Sequence, residues 1–406
     1  MQNSLRFLIA CMLLSSFITH TIDINSENLI LSRMTISDAF GLLAIALFFV
    51  KKGLEKSWKN KIPPVYLGAI IVVTCSALSF FTSLSPKSTV FEVLILSYLV
   101  LLSYVVCEVL KSEIHFFIII LVSASFLAFT IGLYDLLAVN RNWFTIFPNV
   151  NSYHVGSSFR YFGQAANYSF TMLTILIPLK YARLTDKYSL LKKRYINMTL
   201  VLGIFFLLAT GRISIILSFI IALGVFLVYT RKARIIKDIS SIVLLLGVFV
   251  TFAIYAMPKV VSNVINRFEQ RITHRESGSL ATDFIVDNFI NTFISFFDNP
   301  WFGSGLGGFV NNYGPYEIHG TYLKMIGETG LIGFVGYLVF IVLFVKMCLN
   351  VKTSYFYYFL PFLLGSLISW SYNYHLRKKE FWILFSFLVL LEFYYKKNTD
   401  LNTKDN

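Results

Sequence analysis

Long apolar segments separated by short charged loops recur along the 406-residue chain. Most of these segments run about 16–22 residues, the length that a helix needs to cross a hydrocarbon core about 30 Å thick. Hydrophobic residues make up 56% of the chain and charged residues 14%, which leaves too little polar surface for a water-soluble globule. The sequence therefore predicts an all-α polytopic membrane protein.

Hydropathy predicts about twelve transmembrane helices. Their expected bounds are 5–22, 36–50, 65–82, 89–110, 114–138, 165–181, 196–210, 212–229, 239–257, 321–348, 354–371 and 380–395. The first segment has no small-residue cleavage site, so we expect it to be retained rather than removed as a signal peptide. The basic loops 51–61, 180–194 and 231–237 fall on one side, which the positive-inside rule makes cytoplasmic. Both termini are then cytoplasmic.

Two long connections fall on the outer side of the membrane in this count. The predicted divisions are N-terminal transmembrane helices at 1–138, a first outer loop at 139–164, central transmembrane helices at 165–257, a larger outer loop at 258–320, C-terminal transmembrane helices at 321–395 and a disordered cytoplasmic tail at 396–406. Within the larger loop, TDFIVDNFINTFISFFDNP separates apolar from polar side chains at the helical period. This pattern predicts an amphipathic helix that lies on the membrane surface or covers a cavity.

One basic group departs from the charge pattern, because Arg377, Lys378 and Lys379 fall on the outer side. Two explanations stay open: the last helical hairpin is miscounted, or these cations have a role on the outer face. The net charge of +14 does not indicate nucleic-acid binding, because most cations lie in short loops between apolar segments. No basic stripe is interleaved with base-stacking aromatic residues.

Further cations and a histidine are expected at the outer ends of the helices. They are Arg160, Arg212, Arg267, Arg271, Arg275 and His319. Arg212 lies in a short turn between two apolar segments, where an arginine is unfavoured unless an anion binds it. Arg160 and Arg212 together would suit a diphosphate, whose oxygens accept paired hydrogen bonds from guanidinium groups. The alternative is that each arginine contacts a lipid phosphate or holds a loop.

His319 is a candidate general base, because a neutral imidazole accepts a proton near pH 7. A structural hydrogen bond in its loop is the alternative. Glu328 either orients groups in the site or pairs with Lys324 at i, i+4. The GSGLGG run at 303–308 lacks the flanking strand and the Lys-Ser/Thr pair of a nucleotide loop, so we interpret it as a turn for close backbone packing. Scattered histidines and cysteines predict neither a metal site nor a disulfide framework.

Three motifs carry a resemblance to a known family: NPWFGSGLGGF…HGTYLKMIGETGLIG, RYFGQAANYS and TGR. Together they resemble the O-antigen ligase and polymerase superfamily of bacterial envelope glycosyltransferases, over roughly residues 155–345. Gly320 departs from the pattern, because many ligase-like members have Asn at this position. The residues in register are Asn299, Pro300, Gly303, Gly305, His319, Tyr322, Leu323, Glu328, Gly330 and Gly333.

The resemblance implies a metal-independent membrane glycosyltransferase without a cofactor. Such proteins transfer a glycan from undecaprenyl diphosphate to an acceptor sugar at the periplasmic face of the inner membrane, so both long loops would be periplasmic. His319 would be the catalytic base. The diphosphate and substrate site would comprise Arg160, Arg212, Arg267, Arg271, Tyr322 and Glu328. A chain-length regulator, a flippase and membrane lipids are the expected partners.

Three functions remain open at this point. We favour a polymerase of O-antigen or capsule repeats, because sequences of the polymerase group vary widely and the motifs here are loose. An O-antigen ligase, which transfers the glycan to lipid A-core, is the second. A lipid-linked oligosaccharide flippase or transporter is the third, although its route would need polar residues near mid-membrane, where this chain has few charges.

Overall fold

The computed structural model describes an α-helical bundle. It covers residues 1–18, 34–55, 62–146, 162–181, 188–210, 212–230, 233–259, 261–262, 265–266, 269, 281–310, 312–314, 317–350 and 354–402. The helices are α1 Gln2–Leu14, α2 Ile36–Glu55, α3 Pro64–Leu78, α4 Pro86–Leu110, α5 Ile114–Arg141, α6 Phe162–Tyr181, α7 Leu190–Ala209, α8 Ile213–Thr230, α9 Ala233–Ala256, α10 Ala281–Asp298, α11 Thr321–Asn350, α12 Ser354–Trp370 and α13 Lys379–Asn402. None of these described residues forms a β-strand, so the all-α prediction is confirmed.

Five segments are long and apolar enough to cross a membrane: Pro64–Thr82, Pro86–Leu110, Ile114–Ala138, Ile213–Thr230 and Thr321–Leu349. Shorter apolar helices span Gln2–Leu14, Leu246–Ala256 and Tyr357–Trp370. These helices support a multi-pass membrane protein. Every predicted segment overlaps one helix, but the count of about twelve crossings stays a prediction. Helix α13 extends into the predicted tail as far as Asn402.

Contacts between chain segments distinguish two ends of the bundle. The end that carries His319, here called the His319 end, is defined by Met12–Ser37, Asp38–Lys379, Glu92–Arg377, Thr82–Gly303 and Arg212–Asn373. The opposite end is defined by Gln2–Val109, Arg6–Glu113 and His115–Tyr188. Helices α1 to α9 therefore alternate in direction between these ends, as do α11 to α13. Helix α10 instead runs in the same direction as the start of α11, because Asn288 contacts Glu317 and Ser295 contacts Gly327.

Helix α11 is interrupted at Gly330, which has a φ of 63° and a ψ of −164°. An interruption leaves backbone N–H and C=O groups without partners in the helix, and within a membrane those partners must come from the protein. The N–H of Leu331 donates to the carbonyl of Pro300 at 2.8 Å, and the N–H of Ile332 donates to that of Trp301 at 3.2 Å. The Asn-Pro-Trp segment thus completes the helix after its break.

The glycine run completes α11 before the break. The N–H of Gly305 donates to the carbonyl of Glu328 at 2.9 Å. This approach is possible because Gly303, Gly305 and Gly307 take φ values of 69°, 91° and 81°, which favour glycine. A Cβ atom on Gly303 would lie 2.6 Å from the backbone nitrogen of Thr329. The interpretation of GSGLGG as a turn for close backbone packing is confirmed.

Helix α10 is the amphipathic helix that the sequence predicts, and it turns its polar face toward the protein. The buried Ser295 hydroxyl donates to the carbonyl of Gly327 at 3.0 Å, and Thr292 is also buried. Apolar side chains face outward, with Phe289 49% exposed and Phe297 73% exposed. Its apolar face therefore does not cover a cavity of the protein, and the polar face packs along the first turns of α11.

Candidate functional site

His319 lies in the short connection that leads into α11, and its side chain is exposed. The next residue, Gly320, has a φ of 102° because the connection passes directly against the backbone carbonyl of Ser371. The hydroxyl of Thr321 then donates to the carbonyl of Asn373 at 2.8 Å and lies 2.6 Å from Nδ1 of His375. The start of α11 is therefore held by residues 371–378, here called the 371–378 connection.

Arg212 reaches the same connection from the start of α8. Its Nη2 atom donates to Oδ1 of Asn373 at 2.9 Å. Asn373 is buried, and its amide also donates to the carbonyl of Ser369 at 3.2 Å. This second hydrogen bond fixes the orientation of the Asn373 side chain. The structure thus brings together Arg212 and His319, which are separated along the chain by three helices.

Partial burial, together with the charges around it, holds the imidazole of His319 in the neutral form. Partial loss of hydration lowers the pKa of His319, and the nearby guanidinium of Arg212 lowers it further. The carboxylate of Glu317 raises this pKa, whereas the ammonium groups of Lys378 and Lys324 lower it. Because the net effect is downward, the imidazole is a neutral proton acceptor at neutral pH.

Lys378 adds a cation whose charge depends on pH. Burial lowers the pKa of its ammonium group to about 7, and the nearby guanidinium groups of Arg212 and Arg377 contribute to the decrease. The carboxylates of Glu380 and Glu317 act in the opposite direction. Lys378 is therefore protonated below about pH 7 and increasingly neutral above it, unless an anion binds beside it and restores the proton.

Arg377 joins three parts of the chain at this end. Its Nη1 atom donates to Oε1 of Glu92 at 2.7 Å and to Oε1 of Glu317 at 3.1 Å, and its Nη2 atom donates to Oε2 of Glu317 at 3.0 Å. Lys379 lies 2.8 Å from the carboxylate of Asp38. Of the two explanations for this basic group, the contacts favour a role at the His319 end over a miscounted hairpin.

The side chains of Glu328 and Tyr322 contact other residues of α11 and the segments that pack against it. Oε2 of the buried Glu328 accepts a hydrogen bond from the N–H of Gly307 at 2.6 Å and lies 3.5 Å from Nζ of Lys324. The hydroxyl of Tyr322 donates to the carbonyl of Leu367 at 3.3 Å. The i, i+4 pairing of Lys324 with Glu328 is thus present, and the same carboxylate holds the glycine run.

The remaining predicted site residues, Arg160, Arg267 and Arg271, lie outside the described residues, as does Arg275. Sequence reasoning missed Glu92, Glu317 and Asn373, which connect the site to the bundle. The unusual basic group at 377–379 was the available signal for them, because cations on the outer side need anionic partners. Among the residues that the structure describes, no group of three His, Cys, Asp or Glu side chains could hold a metal ion.

These observations describe a multi-pass helical membrane protein in which Arg212, His319 and the basic group at 377–379 form a candidate site at one end of the bundle. Residues 198–338 match the family model described as O-antigen ligase. The match, over about a third of the chain, supports the predicted resemblance to the O-antigen ligase and polymerase superfamily, and the matched range includes Arg212, His319, Tyr322 and Glu328. No curated protein matches the chain.

Proposed function

We propose that this protein is a polysaccharide polymerase that joins glycan repeats carried on undecaprenyl diphosphate. The reaction would take place at the periplasmic face of the bacterial inner membrane, with both termini in the cytoplasm. The observation that carries the proposal is the meeting of Arg212, Lys378 and a neutral His319 at one end of the bundle. A flippase would supply the lipid-linked repeats, and a chain-length regulator is an expected partner.

The chemistry is a displacement at the anomeric carbon of the donor glycan. A hydroxyl of the acceptor sugar forms the new C–O bond while the bond from the anomeric carbon to the lipid diphosphate breaks. His319 takes the proton of the attacking hydroxyl as a general base. Arg212 and Lys378 offset the negative charge that develops on the departing diphosphate, which is the role of fixed cations in phosphate chemistry.

An O-antigen ligase is the alternative that the matched family description favours. Gly320 supports the polymerase, since many ligase-like members have Asn at this position. Gly320 has a φ of 102°, and a Cβ atom on it would collide with the carbonyl of Ser371. An asparagine at this position would therefore require a different path for the 371–378 connection.

A transporter finds less support from the placement of charge. Glu92 is paired with Arg377 at the His319 end, and Glu108 lies 3.7 Å from Lys111 at the opposite end. A transport route would instead expose charged or polar groups near mid-membrane. These charged pairs lie at the ends of the bundle rather than near its middle, which supports a surface reaction site over a transport route.

The function is tested by reconstituting the purified protein in vesicles with a lipid-diphosphate-linked glycan. Two acceptors are compared: a second lipid-linked repeat, and lipid A-core. A polymerase yields longer lipid-linked glycans without lipid A-core, whereas a ligase yields product only when lipid A-core is present. Movement of the glycan across the vesicle membrane without a new glycosidic bond would identify a transporter and overturn both enzymatic functions.

The alkaline limb of the pH profile tests the role of Lys378. In the wild type, kcat/KM should fall as the pH rises through about 7, because Lys378 loses the charge that binds the diphosphate. Lys378→Arg keeps a cation at every accessible pH. In this variant the alkaline fall in kcat/KM should therefore occur at a pH at least about one unit higher than in the wild type. Lys379→Arg is the matched control, because Lys379 is paired with Asp38. Coincident alkaline limbs in wild type and Lys378→Arg would exclude this role.

A further inference from the structure

We propose that Arg377 is a positioning residue, which fixes the loop of His319 relative to Arg212 by holding Glu317. The inference rests on the proposed role of His319 as the base. It assigns a function to the basic group at 377–379, whose cations fall on the outer side of the predicted topology.

The first observation is that the loop is attached on both sides of His319. Two residues before it, the carboxylate of Glu317 receives two parallel hydrogen bonds from Arg377, at 3.1 and 3.0 Å. Two residues after it, the Thr321 hydroxyl donates a hydrogen bond to the carbonyl of Asn373 and lies within hydrogen-bond distance of Nδ1 of His375. Because both attachments are to the 371–378 connection, the backbone of His319 has little freedom to move relative to that connection.

The second observation is that the same connection holds the other partner of the site. Arg212 donates to Oδ1 of Asn373 at 2.9 Å, and Asn373 lies four residues before Arg377. The 371–378 connection therefore sets the spacing between the base and the guanidinium that faces it. A paired, planar guanidinium–carboxylate contact constrains direction as well as distance.

The third observation is that Arg377 is itself anchored in the bundle. Its Nη1 atom contacts Oε1 of Glu92, whose side chain is 6% exposed near the start of α4. Burial alone would lower the pKa of Arg377, but the carboxylates of Glu92 and Glu317 raise it above its ordinary value. The guanidinium is therefore permanently charged. Through its contacts with Glu92 and Glu317, it holds the loop of His319 at a fixed position relative to α4.

Substitution of Glu317 separates positioning from folding. Glu317→Gln removes the charged attachment of the loop while Arg377 keeps its contact with Glu92. Arg377→Gln removes the attachment as well, but it leaves the buried carboxylate of Glu92 without this partner, which destabilises a protein. Arg377→Lys retains the charge and loses the paired geometry. Arg6→Gln is the matched control, because Arg6 is paired with Glu113 at the opposite end of the bundle.

In the vesicle assay, we expect Glu317→Gln to lower kcat roughly 10- to 100-fold, because small displacements of a catalytic group have effects of this size. KM for the donor, measured well below pH 7 so that Lys378 stays protonated without Glu317, should change less than about threefold, since Arg212 and Lys378 are retained. Arg377→Lys should recover only part of the rate. In the double variant Glu317→Gln with Arg377→Gln, the loss should be close to that of Arg377→Gln alone, because Arg377→Gln already removes the contact with Glu317.

The acid limb of the pH profile supplies a readout that a purely structural role would not move. Glu317 raises the pKa of His319, whereas Arg212, Lys378 and Lys324 lower it. Glu317→Gln should therefore move the acid limb to lower pH, and Arg6→Gln should leave it in place. Wild-type kcat and an unmoved acid limb in Glu317→Gln, with an inactive His319→Gln, would overturn positioning by Arg377 and leave the proposed function standing. An active His319→Gln would overturn the proposed function itself.

Discussion

His319→Gln is expected to lower glycan transfer by about 100- to 10,000-fold, the usual contribution of a general base. Glutamine keeps a hydrogen-bonding side chain of similar length but cannot accept the proton of the attacking hydroxyl at neutral pH. The amount of protein in the membrane should not change, because the His319 side chain is exposed. The measurement is the rate of elongation of a lipid-linked glycan in vesicles, with His115→Gln as the control at the opposite end.

Arg212→Gln provides the companion measurement. If Arg212 neutralises the departing diphosphate, its loss should lower kcat and also raise KM for the lipid-linked donor, whereas His319→Gln should affect mainly kcat. Arg212→Lys should restore charge without the paired hydrogen bonds, and so recover only part of the loss. Wild-type elongation by both His319→Gln and Arg212→Gln would contradict an enzymatic site at this end of the bundle.

Gly330→Ala is expected to produce the largest loss of stability. Gly330 has a φ of 63°, and its Cβ atom would lie 2.5 Å from the carbonyl carbon of Trp301. The backbone strain alone costs about 1–3 kcal/mol, and the collision would separate α11 from the Asn-Pro-Trp segment that completes it. The N–H groups of Leu331 and Ile332 would then lose the acceptors that a break within a membrane helix requires.

The apparent melting temperature of the purified protein in detergent measures this effect. Gly224→Ala is the matched control, because an added Cβ atom in α8 would meet nothing within 4 Å. Alanine is a better helix former than glycine by about 1 kcal/mol, so Gly224→Ala should leave the melting temperature unchanged or raise it slightly. Equal melting temperatures for Gly330→Ala and the wild type would show that the break in α11 is not held as described.

The helices could be predicted because a short window of sequence contains each apolar segment in full, as for α4 and α5. The amphipathic pattern of α10 and the close-packing role of GSGLGG follow equally from short stretches of sequence. The break at Gly330 could not be predicted, because the apolar period of α11 continues across it and only its partners at Pro300 and Trp301 reveal it. A hydropathy window contains no information about such backbone partners.

The site was predictable only in part, for a related reason. Arg212 and His319 were identified by residue type and expected depth, and the structure brings them together. The contact of Glu92 with Arg377 joins residues separated by 285 positions, and no local pattern indicates which acidic residue pairs with which cation. The unusual position of the basic group at 377–379 indicated that a partner was needed, but not its identity.

Sided labelling of single cysteines tests most directly whether the site lies on the outer face of the membrane. Asn312→Cys and Tyr372→Cys place a thiol at exposed positions of the His319 end, and Lys111→Cys and Ser189→Cys place one at the opposite end. A membrane-impermeant maleimide applied to intact cells with a permeabilised outer membrane should label the first pair. The second pair should react only after the inner membrane is disrupted, with the unsubstituted chain as the blank. Labelling of the second pair in intact cells, with the first pair protected, would place His319 and Arg212 on the cytoplasmic side and contradict a periplasmic reaction site.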